Sequence, residues 1–145
     1  MLAGTQPLRA APDDPAWLST IRRSTSIVTR STLLQTCDEI VRLLPKGRAA
    51  LKEQLDGAAS SVVANIAEGA GEFSGKEKAR FYRMARRSAV EIAAWVEITA
   101  RRREAPQPLT QRALQELEIV VAMLVKRIES SERQPARAPA LVPRP

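Results

Sequence analysis

The sequence predicts an all-α protein: an antiparallel up-down-up-down four-helix bundle with disordered N- and C-terminal tails. Three observations predict it. Four segments repeat their apolar residues at the helical period of about 3.6. No comparable segment alternates with period two. Short breaks containing Pro or Gly separate the four, so successive helices must be antiparallel neighbours. With 145 residues and 44% apolar content, the chain is large enough for one hydrophobic core and too small for two.

Residues 1–26 form an N-terminal extension. Within it Asp14 is a good N-cap before Pro15, and a short helix is predicted over 15–23, with Trp17 and Ile21 on one side. The bundle is expected to span 27–131, followed by a Pro/Arg tail over 132–145. Residues 1–12 and 133–145 lack an apolar period, so they cannot bury enough surface to offset chain entropy and are expected to stay unstructured.

The first bundle helix is predicted near 27–44, from Ile27, Leu34, Cys37, Val41 and Leu44, and is stopped by Pro45 and Gly47. The second, near 48–69, buries Leu51, Leu55, Ala58, Val62, Ile66 and Gly69. Gly69 and Gly71 are expected to end it through the left-handed conformation that glycine allows. The third, near 75–103, buries Phe81, Ala85, Ser88, Ile92, Trp95 and Thr99 and stops before Pro106 and Pro108. Its start, Ser74-Gly-Lys-Glu77, has the form of a capping box. The fourth, near 111–131, buries Leu114, Leu117, Val121, Leu124 and Ile128. Thr110 is the expected cap, and Leu109 with Leu114 the expected hydrophobic staple. Leu33, Ile40, Val90 and Val120 lie off the centres of these stripes, which widens the apolar faces beyond the need of a monomer and points to a homo-oligomer.

Composition narrows the chemistry. The chain has one cysteine, Cys37, and no histidine, so an internal disulfide is impossible and a His/Cys metal site lacks ligands. Cys37 on an apolar face has no base to activate it, and neither have Ser60 and Ser61. The expectation is a protein that is not an enzyme and uses no cofactor or small-molecule substrate. No stretch approaches the roughly 20 apolar residues that span a bilayer, and the first residues lack a signal-peptide core. No membrane association is expected, and the default location is the cytoplasm.

Net charge is +7, and residues 74–103 hold nine basic and three acidic side chains, which is +6 of that total. Such a concentration is either a solvated helix face or a patch for an acidic partner or nucleic acid. On a helix turning about 100° per residue, Lys76, Arg80, Arg83 and Arg87 form one row, about 130° from the Phe81/Ile92 stripe. Their spacing of about 4.5–6 Å along the axis suits successive backbone phosphates, which arginine can grip with two hydrogen bonds. With Lys78 and Arg86 they make the candidate nucleic-acid face. Phe81 and Trp95 are assigned to the core, so few aromatics are left to stack on unpaired bases. Structured RNA or DNA is the better fit. An acidic protein docked on the same face is the alternative.

The segment between the second and third stripes holds the most distinctive string. Asn65 continues the Leu51/Ala58 row, so a carboxamide faces the seam, where it must be hydrogen-bonded and is expected to fix register or partner. Glu68, one turn on, is placed to reach a neighbouring helix. Gly-Ala-Gly-Glu-Phe-Ser-Gly is not a phosphate-binding loop, because no Gly-Lys-Ser/Thr follows.

The run Ser60-Ser-Val-Val-Ala-Asn65-Ile-Ala-Glu68-Gly69, then Ser74-x-x-Glu77, then Phe81-x-x-x-Ala85-x-x-Ser88-x-x-Glu91, resembles a known family. These residues are similar to small four-helix-bundle proteins encoded by intervening sequences in large-subunit ribosomal RNA genes. The accessory variability determinant of diversity-generating retroelements belongs to the same group. The resemblance extends over about 27–131 and takes in Leu44-Pro45 and Gln54-Leu55. It implies a helical protomer assembled into a ring, a pentamer in the retroelement members. It also implies a basic surface that binds RNA or a complex of RNA with a reverse transcriptase.

Overall fold

The computed structural model describes residues 15–16, 18–23 and 32–135. Residues 16 and 18–23 are helical, as expected of the short N-terminal helix. Ser19 Oγ and Thr20 Oγ1 each donate to the carbonyl of Ala16, at 2.8 and 3.2 Å. Asp14, Trp17, Ile27 and the segments 1–12 and 136–145 lie outside the described residues.

Four helices make the bundle: α1 Leu33–Leu43, α2 Ala49–Gly71, α3 Gly75–Arg101 and α4 Gln107–Glu132. Among the described residues there is no strand. α3 packs along both α2 and α4, and α1 closes the bundle by packing on α2 and α4. Cross-contacts fix the directions. Ser61 meets Ser88 and a Cβ on Gly69 would strike Tyr82, so α2 and α3 are antiparallel. Arg83 meets Glu132 across α3 and α4. Thr32 and Glu39 meet Glu116 and Arg112 across α1 and α4.

The α2 stripe is buried as its periodicity predicts, from Leu51 to Gly69. In the other three helices Cys37 and Leu44, Ala85, Ile92 and Thr99, and Leu117, Leu124 and Ile128 are buried as expected, but the centre of each stripe is turned by a fraction of a residue step. α1 buries Leu33, Thr36, Cys37 and Ile40, leaving Leu34 and Val41 half-buried. α3 buries Ala79, Tyr82, Ala85, Ala89, Ile92, Val96 and Thr99, while Phe81, Ser88 and Trp95 are only half-buried. α4 buries Leu109, Thr110, Ala113, Glu116, Leu117, Val120, Leu124 and Ile128. Three of the four off-centre apolar residues, Leu33, Ile40 and Val120, are therefore used up by the protomer's own core. Only Val90 is exposed, at 57%. The reason on α3 is packing distance: alanines at 79, 85 and 89 let the neighbouring helices come close, which the bulk of Phe81 and Trp95 would prevent.

The helix ends also differ from expectation. α2 runs through Gly69 to Gly71, and Gly69 is no terminator. A Cβ there would sit 2.7 Å from the ring of Tyr82 and 3.2 Å from Cβ of Phe81, so glycine is needed for close approach. Ser74 is the N-cap of α3, but its side chain makes no capping bond, and the Glu77 carboxylate accepts from Arg80 Nε at 2.8 Å instead. α3 stops at Arg101 through a Schellman arrangement. Glu104 N–H donates to Thr99 O and Arg103 N–H to Ala100 O, with Arg103 at φ 56°. Pro106 and Pro108 begin α4 instead of ending α3. Pro106 is the N-cap and Pro108 lies in the first turn, where a missing N–H costs nothing. Thr110 is thus inside the helix, donating to Gln107 O at 3.0 Å, and the Leu109/Leu114 staple has no N-terminus to clasp.

Candidate nucleic-acid interface

α3 carries the predicted row because its buried stripe and its cations occupy opposite sides of one cylinder. With about 100° per residue, Lys76, Arg80, Arg83 and Arg87 point roughly opposite to the Ala79–Thr99 stripe. All four are exposed. The rotation of α3 moves the row further from the core than the sequence suggests.

The row is not uniform. Arg80 pairs with Glu77 and lies over the Phe81 ring, its guanidinium carbon 4.4 Å from the centroid. Arg83 pairs with Glu132. Both pairs are solvent-exposed, a class worth about 0–1 kcal/mol, so phosphate oxygens can replace these carboxylates at little cost. Lys76 and Arg87 have no partner among the described residues.

The other two predicted members leave the row. Arg86 is half-buried and sits about a quarter-turn away on the α3 cylinder. Lys78 is half-buried and lines a groove against the end of α4 with Arg127 and Arg133. Arg127 and Arg133, residues that sequence reading missed, are brought here by the antiparallel α3/α4 pairing.

Asn65 is 9% exposed. Its Nδ2 donates to Ser61 O at 2.8 Å and to Ser61 Oγ at 3.1 Å. Ser61 Oγ in turn lies 2.8 Å from Ser88 Oγ. The carboxamide therefore ties α2 to α3 through two serines, and the Ser61/Ser88 link is invisible in either helix alone. These three residues with Met84, Arg87 and Glu91 line a shallow depression beside the row. Glu68 is exposed and its side chain has no partner among the described residues, so the expected reach to another helix is not made. Phe73 stands 82% exposed in the α2–α3 turn.

Cys37 is buried. Burial first, then the negative charges of Asp38 and Glu116, push its thiol up to about 12. Glu116 itself is buried with its Oε1 accepting from Thr32, while its Oε2 has no partner among the described residues. No helix among the described residues is long and apolar enough to cross a membrane.

Fold and surface together define a small basic four-helix-bundle protein with its cations ranked along one outer helix face. Residues 28–126 match the family model of the 23S rRNA-intervening sequence protein, and the chain belongs to that family. No curated protein matches it.

Proposed function

We propose that this protein is a non-enzymatic accessory factor that binds folded RNA through the α3 row. The observation that supports this most is the placement of Lys76, Arg80, Arg83 and Arg87 on one exposed face opposite the core stripe. A row of this kind reads charge and backbone shape, and it leaves base sequence unread. The family description, which ties these proteins to ribosomal RNA genes, is in keeping with an RNA partner. The reading without catalysis is supported by the one cysteine, whose buried thiol stays protonated at neutral pH, and by the lack of any histidine.

Self-assembly belongs to the same proposal. Ile119 remains 61% exposed on α4, and a second copy covering it would repeat the row, so that several weak contacts act together. Fluorescence anisotropy with two unrelated folded RNAs tests the function. Changing Arg80, Arg83 and Arg87 together to Gln should lower affinity for both by a similar factor, about tenfold or more, with the helical spectrum intact. Unchanged RNA affinity in that variant, or no RNA binding by the parent, would hand the row to an acidic protein partner.

A further inference from the structure

The groove that receives Lys78 differs from the row in shape and in what lines it. The start of α3 lies hard against the end of α4. A Cβ on Gly75 would fall 2.2 Å from the carbonyl oxygen of Ser131, so only glycine permits the approach. Beside that contact opens a groove of about 380 Å³, lined by Lys78, Arg127 and Arg133 with the side chains of Tyr82, Ser130 and Ser131. Three cationic residues line it, and among the described residues no carboxylate does. The nearby Glu132 is held by Arg83, and Glu77 by Arg80. The Arg127 guanidinium sits 5.7 Å from the centroid of the Tyr82 ring, which fixes its position at the wall.

Ser131 is only 8% exposed, yet it lines the groove and its hydroxyl has no partner among the described residues. A hydroxyl beside these cations, with no acceptor among the described residues, is suited to an anion. The last carbonyls of α4 act in the opposite sense with about half a charge, which the full charges of Lys78 and Arg133 alone outweigh.

We infer that this groove binds a single dianionic phosphoryl group, either the 5′-terminal phosphate of an RNA or free inorganic phosphate. A concave site lined by cations from two helix ends suits a compact group with several free oxygens. A backbone diester has one charge and continues in both directions, which fits the extended row. The RNA arm rests on the proposed function, whereas the free-anion arm stands alone.

Two measurements on the full chain separate these. At fixed ionic strength and pH 7.5, replacing chloride by inorganic phosphate should raise the melting temperature by a few degrees. An RNA carrying a 5′-phosphate should bind about tenfold more tightly than the same RNA with a 5′-hydroxyl, one charge-assisted contact's worth. K78Q/R133Q should remove both effects while leaving 5′-hydroxyl RNA affinity within about twofold, because the row is untouched. Phosphate protection without discrimination between RNA ends assigns the groove to the free anion. Phosphate protection with no RNA binding at all keeps the groove and removes the row's function. A parent that distinguishes neither phosphate from chloride nor one RNA end from the other overturns the inference, even if the row binds RNA.

Discussion

The two ends of α3 carry the same kind of charge in different arrangements. At the N-terminal end Lys76, Arg80, Arg83 and Arg87 recur every three or four residues and share a face. At the other end Arg101 closes the helix, Arg102 is its C-cap and Arg103 turns out of it at φ 56°, so the three consecutive cations form no line. About 21 Å of helix separates Arg87 from Arg101, and the nine cations of residues 74–103 are not one patch. The C-terminal three have a local explanation. They lie at the negative end of the helix dipole, where cations are stabilising. Arg101 approaches Glu97 at 3.5 Å, and Arg103 occupies the left-handed position of the helix stop. Charge count becomes an interface only when spacing aligns it.

The largest expected effect is the contrast between these ends in RNA binding. R101Q/R102Q/R103Q should change affinity for folded RNA by no more than about threefold, against tenfold or more for the row variant. Equal losses would mean that total charge, not alignment, drives binding.

The ends are also held differently, and stability measurements sharpen the contrast. The N-terminal end depends on close approach. Gly75→Ala must displace the Ser131 backbone, and Gly69→Ala the Tyr82 ring, so each should cost about 1–3 kcal/mol in denaturant unfolding, as overpacking does. Gly57 in exposed mid-α2 has nothing within 4 Å of an added Cβ, and Gly57→Ala should stabilise by about 0.5–1 kcal/mol. If all three changes stabilise alike, the α3 start is not a tight contact. The C-terminal end depends on backbone conformation. Arg103→Gly should raise the denaturation midpoint, with a gain of up to about 1 kcal/mol, and a lower midpoint would show that the Arg103 side chain matters more than its φ angle.

Smallest near neutral pH is the effect of Cys37, away from both ends on α1. Its folded value is raised from 9.0 to about 12, so the fold binds this proton more tightly than the unfolded chain does. The resulting stability is fully present below about pH 9 and is lost as pH rises toward 12. Between pH 9 and 11 the parent should lose stability more steeply than Cys37→Ala, and parallel curves would place Cys37 outside the sealed core.

Much of this was legible in the sequence. Four helices, their order and the α2 stripe follow from apolar period alone. The row was legible because the face opposite any stripe is solvent. The α3 stripe was misread at Phe81, Ser88 and Trp95, because large aromatics outweigh alanine on any hydrophobic scale, whereas Ala79 and Ala89, with the expected Ala85, do the packing. Gly69 carried a missing signal, since a glycine kept inside a helix marks close approach, here of Tyr82 and Phe81 on α3. Pro106 and Pro108 stop one helix and start the next with equal ease, so the α4 boundary was ambiguous. The Ser61/Ser88 bridge and the Lys78, Arg127 and Arg133 groove join residues far apart in the chain, and no local pattern announces them.

The central claim is that aligned cations on α3 replace counterions on RNA phosphates, and the slope of log affinity against log salt tests it most directly. For the parent the account predicts a steep linear fall, and for R80Q/R83Q/R87Q a slope flatter by about three, one for each lost phosphate contact. R101Q/R102Q/R103Q should keep the parent's slope. A row variant whose salt dependence matches the parent's would contradict the account.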